Sequence, residues 1–231
     1  MVKHAYFPLF KKVNSMRVCV IGCGRLAKYR IRGLCGFSDE IHITVVCREL
    51  DSELEELFLA GRIEHFRIEG DFPTWDELES ACLVIWPNLA IIADANNDKT
   101  AVAYDFFIKR GVEVNSPDKP NYCTVIFPSI VKGENYTAAL STYGNAPGAA
   151  SELARRIRAA LPEELDGIIE WISEMRARVY ADNSLDAESR KHTVMELTRA
   201  ALDKGAPLTP DEEGFILNCM TVTQSNGKSE N

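Results

Sequence analysis

The sequence predicts an α/β chain: a parallel sheet covered by helices on both faces, then a small antiparallel β element, then a run of helices. Three observations carry that prediction. Short β-rich runs alternate with helical stretches from Met16 to about Asn115, the rhythm of strands joined by helical crossovers. A glycine-rich turn, Gly22-Cys23-Gly24, separates the first strand from the first helix. From Gly148 onward the chain reads as helix.

The elements follow in order. Met16 to Ile21 reads as a buried strand and Leu26 to Leu34 as a helix. Ile41 to Val46 is a second strand, followed by an acidic helical stretch from Asp51 to Ala60. Ile63 to Ile68 is a weaker strand and Trp75 to Cys82 a short helix. Leu89 to Ala93 is a strong strand, Thr100 to Arg110 a helix, and Val112 to Asn115 a short strand. Ser116 to Asn121 holds two prolines and reads as a loop. Val125 to Phe127 and Tyr136 to Ser141 are strand-like, with Lys132 to Asn135 as the turn between them. Helices are predicted over Ala149 to Leu161, Glu163 to Tyr180 and Glu188 to Leu202. The last helix starts by capping logic at Thr209, with Glu212 three residues on. The polar stretch from Thr223 to Asn231 reads as a disordered tail.

Composition narrows the function classes. The chain has 231 residues, 46% hydrophobic and 26% charged, with a formal charge of −8. That balance argues against a general binder of nucleic acid or of an anionic membrane surface. The most apolar stretch, Ala81 to Ala95, is broken by Pro87, Asn88 and Asp94 and falls short of the roughly 20 residues a span needs. The N-terminus lacks a long apolar run and meets Pro8 early, so no secretory leader is read there. Seven cysteines are scattered with no C-x-x-C pair, and the four histidines form no cluster. Structural zinc is therefore not expected. Cys19 and Cys47 fall in apolar runs and read as core thiols in a reducing, cytoplasmic setting.

Gly22-Cys23-Gly24-Arg25-Leu26-Ala27 is a G-x-G-x-x-A sequence between strand and helix. The first glycine permits a tight turn, the second lets the backbone approach a pyrophosphate, and the small last residue lets helix and strand pack closely. Free N–H groups at the helix start then face the phosphates. This context predicts a Rossmann-type domain holding a dinucleotide. Arg48 and Glu49, with Asp51 behind them, follow the second strand, where an acid favours the 2′-hydroxyl of NAD and an arginine the 2′-phosphate of NADP. Both are present, so that position leaves the two cofactors open. Arg25, Lys28 and Arg32 share one helical face, either a docking surface for an anionic ligand or a solvated face.

Five further stretches stand in a set order. They are Tyr6-Phe7-Pro8-Leu9-Phe10, the glycine-rich turn itself, Asn115-Ser116-Pro117-Asp118, Phe127-Pro128-Ser129-Ile130-Val131, and Ser141-Thr142-Tyr143-Gly144-Asn145-Ala146-Pro147. Together they resemble the precorrin-2 dehydrogenase/sirohydrochlorin ferrochelatase family, the siroheme-synthase N-terminal module, from residue 6 to about 162. The resemblance implies NAD-dependent oxidation of precorrin-2 to sirohydrochlorin, with NADP not excluded. Some members then insert ferrous iron, which makes iron a further candidate substrate. It implies Asp118 as the catalytic residue, accepting the proton lost beside the hydride. Cofactor contacts are expected from Gly22, Cys23, Gly24, Arg25, Leu26, Arg48, Glu49, Asn96 and Asn97. Lys119, Lys132 and Arg155, with Arg156 and Arg158 nearby, are candidates for the substrate's carboxylates; for the three arginines the alternative is an exposed helix surface.

The family forms homodimers, so residues 118–147 are expected as a dimerisation element between a Rossmann domain over 1–117 and a helical domain over 148–222. Departures from the family pattern fall at Cys23, at the Asn96-Asn97 edge, at Tyr143, where a glycine is usual, and at Ala146, where a serine is usual. Two alternatives stay open: a dehydrogenase served by a separate chelatase, and a dinucleotide-binding protein without catalysis.

Overall fold

In the computed structural model, which describes residues 6–227 and side chains as far as residue 218, five strands form one parallel sheet. These are β1 (Arg17–Ile21), β2 (His42–Cys47), β3 (Glu64–Arg67), β4 (Leu89–Ile92) and β5 (Glu113–Asn115). Their order is β3-β2-β1-β4-β5, and every pairing is parallel. The four crossovers are α1 (Arg25–Phe37), α2 (Ser52–Leu59), α3 (Trp75–Ile85) and α4 (Asn97–Ile108). The strand order reverses between β1 and β4, the switch point at which such sheets open a crevice at their carboxyl edge.

Period-two alternation explains why both faces are covered. Cys19 and Ile21 pack with Leu78, Ala81, Phe106 and Phe107 on the side of α3 and α4. Val18 and Val20 pack with Ala27, Ile31, Leu34 and Leu54 on the side of α1 and α2. Cys19 and Cys47 are buried, as their apolar settings predict, and the six described cysteines are free thiols.

The chain divides into two units, one of Met1–Phe127 with Tyr143–Asn145, the other of Pro128–Thr142 with Ala146–Asn231. In the second unit, β6 (Ser129–Lys132) and β7 (Thr137–Leu140) form an antiparallel pair, followed by α5 (Pro147–Ala160), α6 (Leu165–Ala181), α7 (Ala187–Lys204) and α8 (Pro210–Gly227). Ile168, Met175, Val179, Leu197, Ala201 and Leu208 form the core of its helices. The turn before β7 is seated on α6: Asn135 donates its backbone N–H to the Asp166 carboxylate at 2.6 Å. A Cβ at Gly133 would lie 2.3 Å from the Tyr136 ring and 2.4 Å from that carboxylate, so only glycine fits. The predicted cap of α8 forms, with Thr209 N–H and hydroxyl both donating to Glu212.

Three expectations shift. The strand placed at Val125 to Phe127 begins instead at Ser129, because Thr124 and Val125 both donate to the Val114 carbonyl and dock that segment onto β5. Helix α4 starts three residues before Thr100, because Asn96 caps it. Helix α8 runs to Gly227, through part of the stretch read as a tail, while residues 228–231 lie outside the described residues.

Candidate dinucleotide and proton-transfer site

The glycine-rich turn is shaped by its neighbours on the sheet. Gly22 has φ +99 and donates its N–H to the Val46 carbonyl. A Cβ there would stand 2.9 Å from the carbonyl oxygen of Ala93, at the end of β4. Backbone angle and space both demand glycine. Gly24 is the N-cap of α1 and brings no side-chain cap. The other helices of the sheet are capped, α2 by Asp51, α3 by a Thr74–Glu77 capping box and α4 by Asn96. Helix α1 alone among them keeps its first amides unspent, and no acidic residue occupies its first turn. The N–H groups of Arg25 and Leu26, with the positive end of the helix dipole, suit a pyrophosphate. No atom lies within 4 Å of a Cβ built at Gly24, so the approach is open. The dinucleotide therefore fits.

Beside the turn lies an open depression of about 460 Å³ lined by Arg25, Leu26, Lys28, Tyr29 and Arg32. Lys28 is bound to Asp51 at 2.5 Å and to Glu53 at 3.5 Å, and Arg32 is paired with Glu53. The basic face of α1 is thus largely neutralised by the start of α2. Arg25 makes no ion pair among the described residues. At the end of β2, Cys47 turns its thiol to the Glu49 carbonyl, and burial pushes that thiol up to about 12. Arg48 pairs with Asp71 at 3.1 Å, and the Glu49 side chain is exposed.

On the other side of the turn, the loop after β5 is tied to the end of β4. Ser116, buried, donates its hydroxyl to the Ile92 carbonyl. Lys119 donates to the carbonyls of Asp94 (2.7 Å) and Asn96 (2.9 Å) and to the Thr100 hydroxyl (2.7 Å). An ammonium has three N–H donors, and all are taken. Lys119 is therefore a clamp and not a free cation for substrate, which corrects the expectation drawn from its charge. Asp118 stands between these two anchors, exposed, with no hydrogen bond or ion pair among the described residues. Asn115, the first residue of the N-x-x-D stretch, is buried; its amide donates to the Val125 carbonyl at 3.0 Å, and its Oδ1 has no partner.

The Asn96 side chain is spent in part: its oxygen accepts the Lys99 N–H as the cap of α4, leaving the amide donors for a ligand. Asn97 opens α4 and is exposed. In the second unit, Lys132 ends β6 on an exposed position. Arg155 is held by both oxygens of Glu152 at 2.8 Å, and Arg156 shares that carboxylate. Tyr143 has φ +55, the left-handed backbone of the glycine it replaces, and its ring stacks on Tyr6 at 6.3 Å. That conformation costs a non-glycine residue about 1 kcal/mol.

Sequence reasoning missed the roles of Ser116, Lys119 and Cys123, whose thiol receives the Ser116 N–H at 3.1 Å. It also missed Arg30, whose guanidinium lies 4.6 Å from the Phe127 ring centre. Two prolines in the 116–121 stretch signalled only a rigid loop.

Residues 9–129 match the family model described as "Putative NAD(P)-binding". The chain belongs to this NAD(P)-binding family. Siroheme synthase 3 of Aeromonas hydrophila subsp. hydrophila is 29% identical over 80% of this chain and 37% of its own length. Siroheme synthase 2 of Yersinia pestis is 30% identical over the same shares. The chain thus spans little more than a third of these relatives. The solved structure of SirC, named a precorrin-2 dehydrogenase, superposes with a TM-score of 0.62 at 17% identity, covering 94% of this chain and 99% of that one. The resemblance to the siroheme-synthase N-terminal module and the fold class read from the sequence are both upheld. Among the described residues no helix is long and apolar enough to cross a membrane.

Proposed function

We propose that the chain is a dehydrogenase of siroheme biosynthesis that oxidises precorrin-2 to sirohydrochlorin with a nicotinamide dinucleotide. The observation that carries this is one continuous edge. Gly22 touches Ala93, Lys119 grips Asp94 and Asn96, and Asp118 precedes Lys119. A phosphate-binding turn and an unengaged carboxylate are thereby fixed at the same carboxyl end of the sheet. The relatives' names and the SirC fold support the choice of substrate.

The bound dinucleotide supplies the hydride acceptor. The chain's own residues do the rest. Amides of Arg25 and Leu26 hold the pyrophosphate, Arg48 and Glu49 lie at the ribose, and Asn96 and Asn97 offer side-chain amides at the end of β4. Cys23, between the two glycines, contributes backbone and needs no particular side chain. Asp118 accepts the proton released as the macrocycle is oxidised, its carboxylate held in place by the anchors at Ser116 and Lys119. Lys132 and Arg155 remain proposed contacts for the substrate's carboxylates on charge alone.

The test is incubation of the purified chain with precorrin-2 and each dinucleotide, following the absorbance of sirohydrochlorin. Asp118→Asn is expected to lower the rate by 10²-fold or more, the order typical of a general base, while dinucleotide binding stays intact. An unchanged rate overturns the assignment. Binding without any turnover marks a non-catalytic dinucleotide protein. Adding ferrous iron to sirohydrochlorin anaerobically separates a bifunctional chain from one served by a separate chelatase. A homodimer is also part of this proposal: β6 and β7 pair only with each other among the described residues, and a two-strand ribbon gains from further pairing. Light scattering should give twice the chain mass.

A further inference from the structure

We infer that Arg48 reads the 2′-position of the adenosine ribose, so that this chain takes NADP in preference to NAD. The inference rests on the dinucleotide reading of the glycine-rich turn and deepens it. NAD-selective sites of this kind place a carboxylate at the end of the second strand to bind the ribose hydroxyls. Here that strand ends in Cys47, 4% exposed, its thiol turned to the Glu49 carbonyl. The acid that follows, Asp51, is already committed. Its oxygens accept the Leu54 N–H at 3.1 Å as the cap of α2 and the Lys28 ammonium at 2.5 Å. Lys28, through its hydrogen bond, also holds the Asp51 carboxyl below the usual range. Releasing it for a ribose would uncap a helix and break an ion pair together.

Arg48 is differently placed. Its partner Asp71 is 79% exposed and Arg48 itself 55%, a pair that solvent screens and that yields readily. A 2′-phosphate offers a guanidinium more charge and several acceptor oxygens in a matching geometry. Arg67, the last residue of β3, is the register partner of Cys47 and is exposed without an ion pair among the described residues. Two arginines thus sit at the carboxyl ends of adjacent strands, on the side of the sheet away from β4, while the acids of α2 are matched by Lys28 and Arg32. Glu49 is the one acid of this segment left to compete.

Calorimetric titration of the full chain with NAD and with NADP tests this, since the two differ only in the 2′-phosphate. NADP should bind about tenfold tighter or more. Arg48→Ala should abolish that preference while leaving NAD affinity unchanged, and Arg67→Ala should reduce it. Equal affinities, tighter NAD binding, or a preference that survives Arg48→Ala overturn the inference and leave the dinucleotide site standing. If Glu49→Gln weakens NAD binding several-fold, Glu49 is the ribose reader and the inference falls. Failure of both ligands to bind removes the dinucleotide reading, and this inference with it.

Discussion

Helices α1 and α4 begin at the same edge of the same sheet, on either side of the switch point, yet they begin differently. Helix α4 is capped by the Asn96 side chain, and the Asn96 carbonyl is itself held by Lys119. Helix α1 begins at Gly24 with no side chain to satisfy its amides. Four N–H groups at a helix start need partners from somewhere. Where the protein supplies them the terminus is a piece of architecture, and where it withholds them the terminus is kept for a ligand. The contrast also explains why the two loops behave unlike each other in sequence: one is written in glycines, the other in hydrogen-bonding side chains.

The strongest way to break the comparison is Gly22→Ala. Its φ of +99 and the 2.9 Å approach to Ala93 leave no room for a methyl group. We expect a loss of about 1–3 kcal/mol in stability and at least a tenfold loss of dinucleotide affinity, read by urea denaturation and calorimetry. Retained affinity would mean that the turn does not hold the ligand.

Next is Lys119→Met, which orphans three acceptors at the start of α4. The expected cost is about 1–3 kcal/mol, with a fall in turnover of precorrin-2 and little change in dinucleotide affinity. A variant as stable and active as the parent would show that the clamp is dispensable.

A paired exchange sharpens the contrast further. Asn96→Ala should destabilise by about 1 kcal/mol. Gly24→Asp, at extended backbone angles with open space around it, should leave stability within a few tenths of a kcal/mol or raise it. The same change should sharply weaken dinucleotide binding, because it puts a carboxylate where phosphate belongs. Thermal melts with and without cofactor separate the two effects.

The smallest effect is that of acid. Lys28, by hydrogen bonding to Asp51, and the backbone N–H groups of Thr74 and Glu69, by bonding to Glu77, hold these capping carboxyls below their ordinary values. A depressed carboxyl stabilises the fold above its unfolded pKa and loses that contribution as pH falls through its folded one. Below about pH 4 the starts of α2 and α3 should therefore loosen before that of α1, which has no acid to protonate. Hydrogen exchange at the three helix starts reads this directly. In the helical unit Glu212, held down to about 2 chiefly by Lys204, should keep its cap to lower pH than either.

Sequence alone made the sheet legible, because five apolar runs at crossover spacing leave few ways to bury both faces. It made Gly22 legible for the same kind of reason: a glycine-specific turn shows in any printed chain. It misread Lys119, since a lysine beside a candidate base looks like a substrate contact until its three acceptors are seen. It also misplaced the strand after β5, because an apolar run does not reveal which carbonyl its amides will find.

What the chain's order of residues determined by itself was the α/β class, the phosphate-binding turn and the helical C-terminal half, all properties of local pattern and backbone allowance. Only the folded structure decided which charges were free. Asp51, Lys28, Lys119 and Arg155 are spent on partners brought to them across the fold or along a helix, while Asp118 and Arg25 are left without an ion pair. The physical reason is that availability belongs to a group and its surroundings together, and those surroundings exist only once the strands and helices have closed around them.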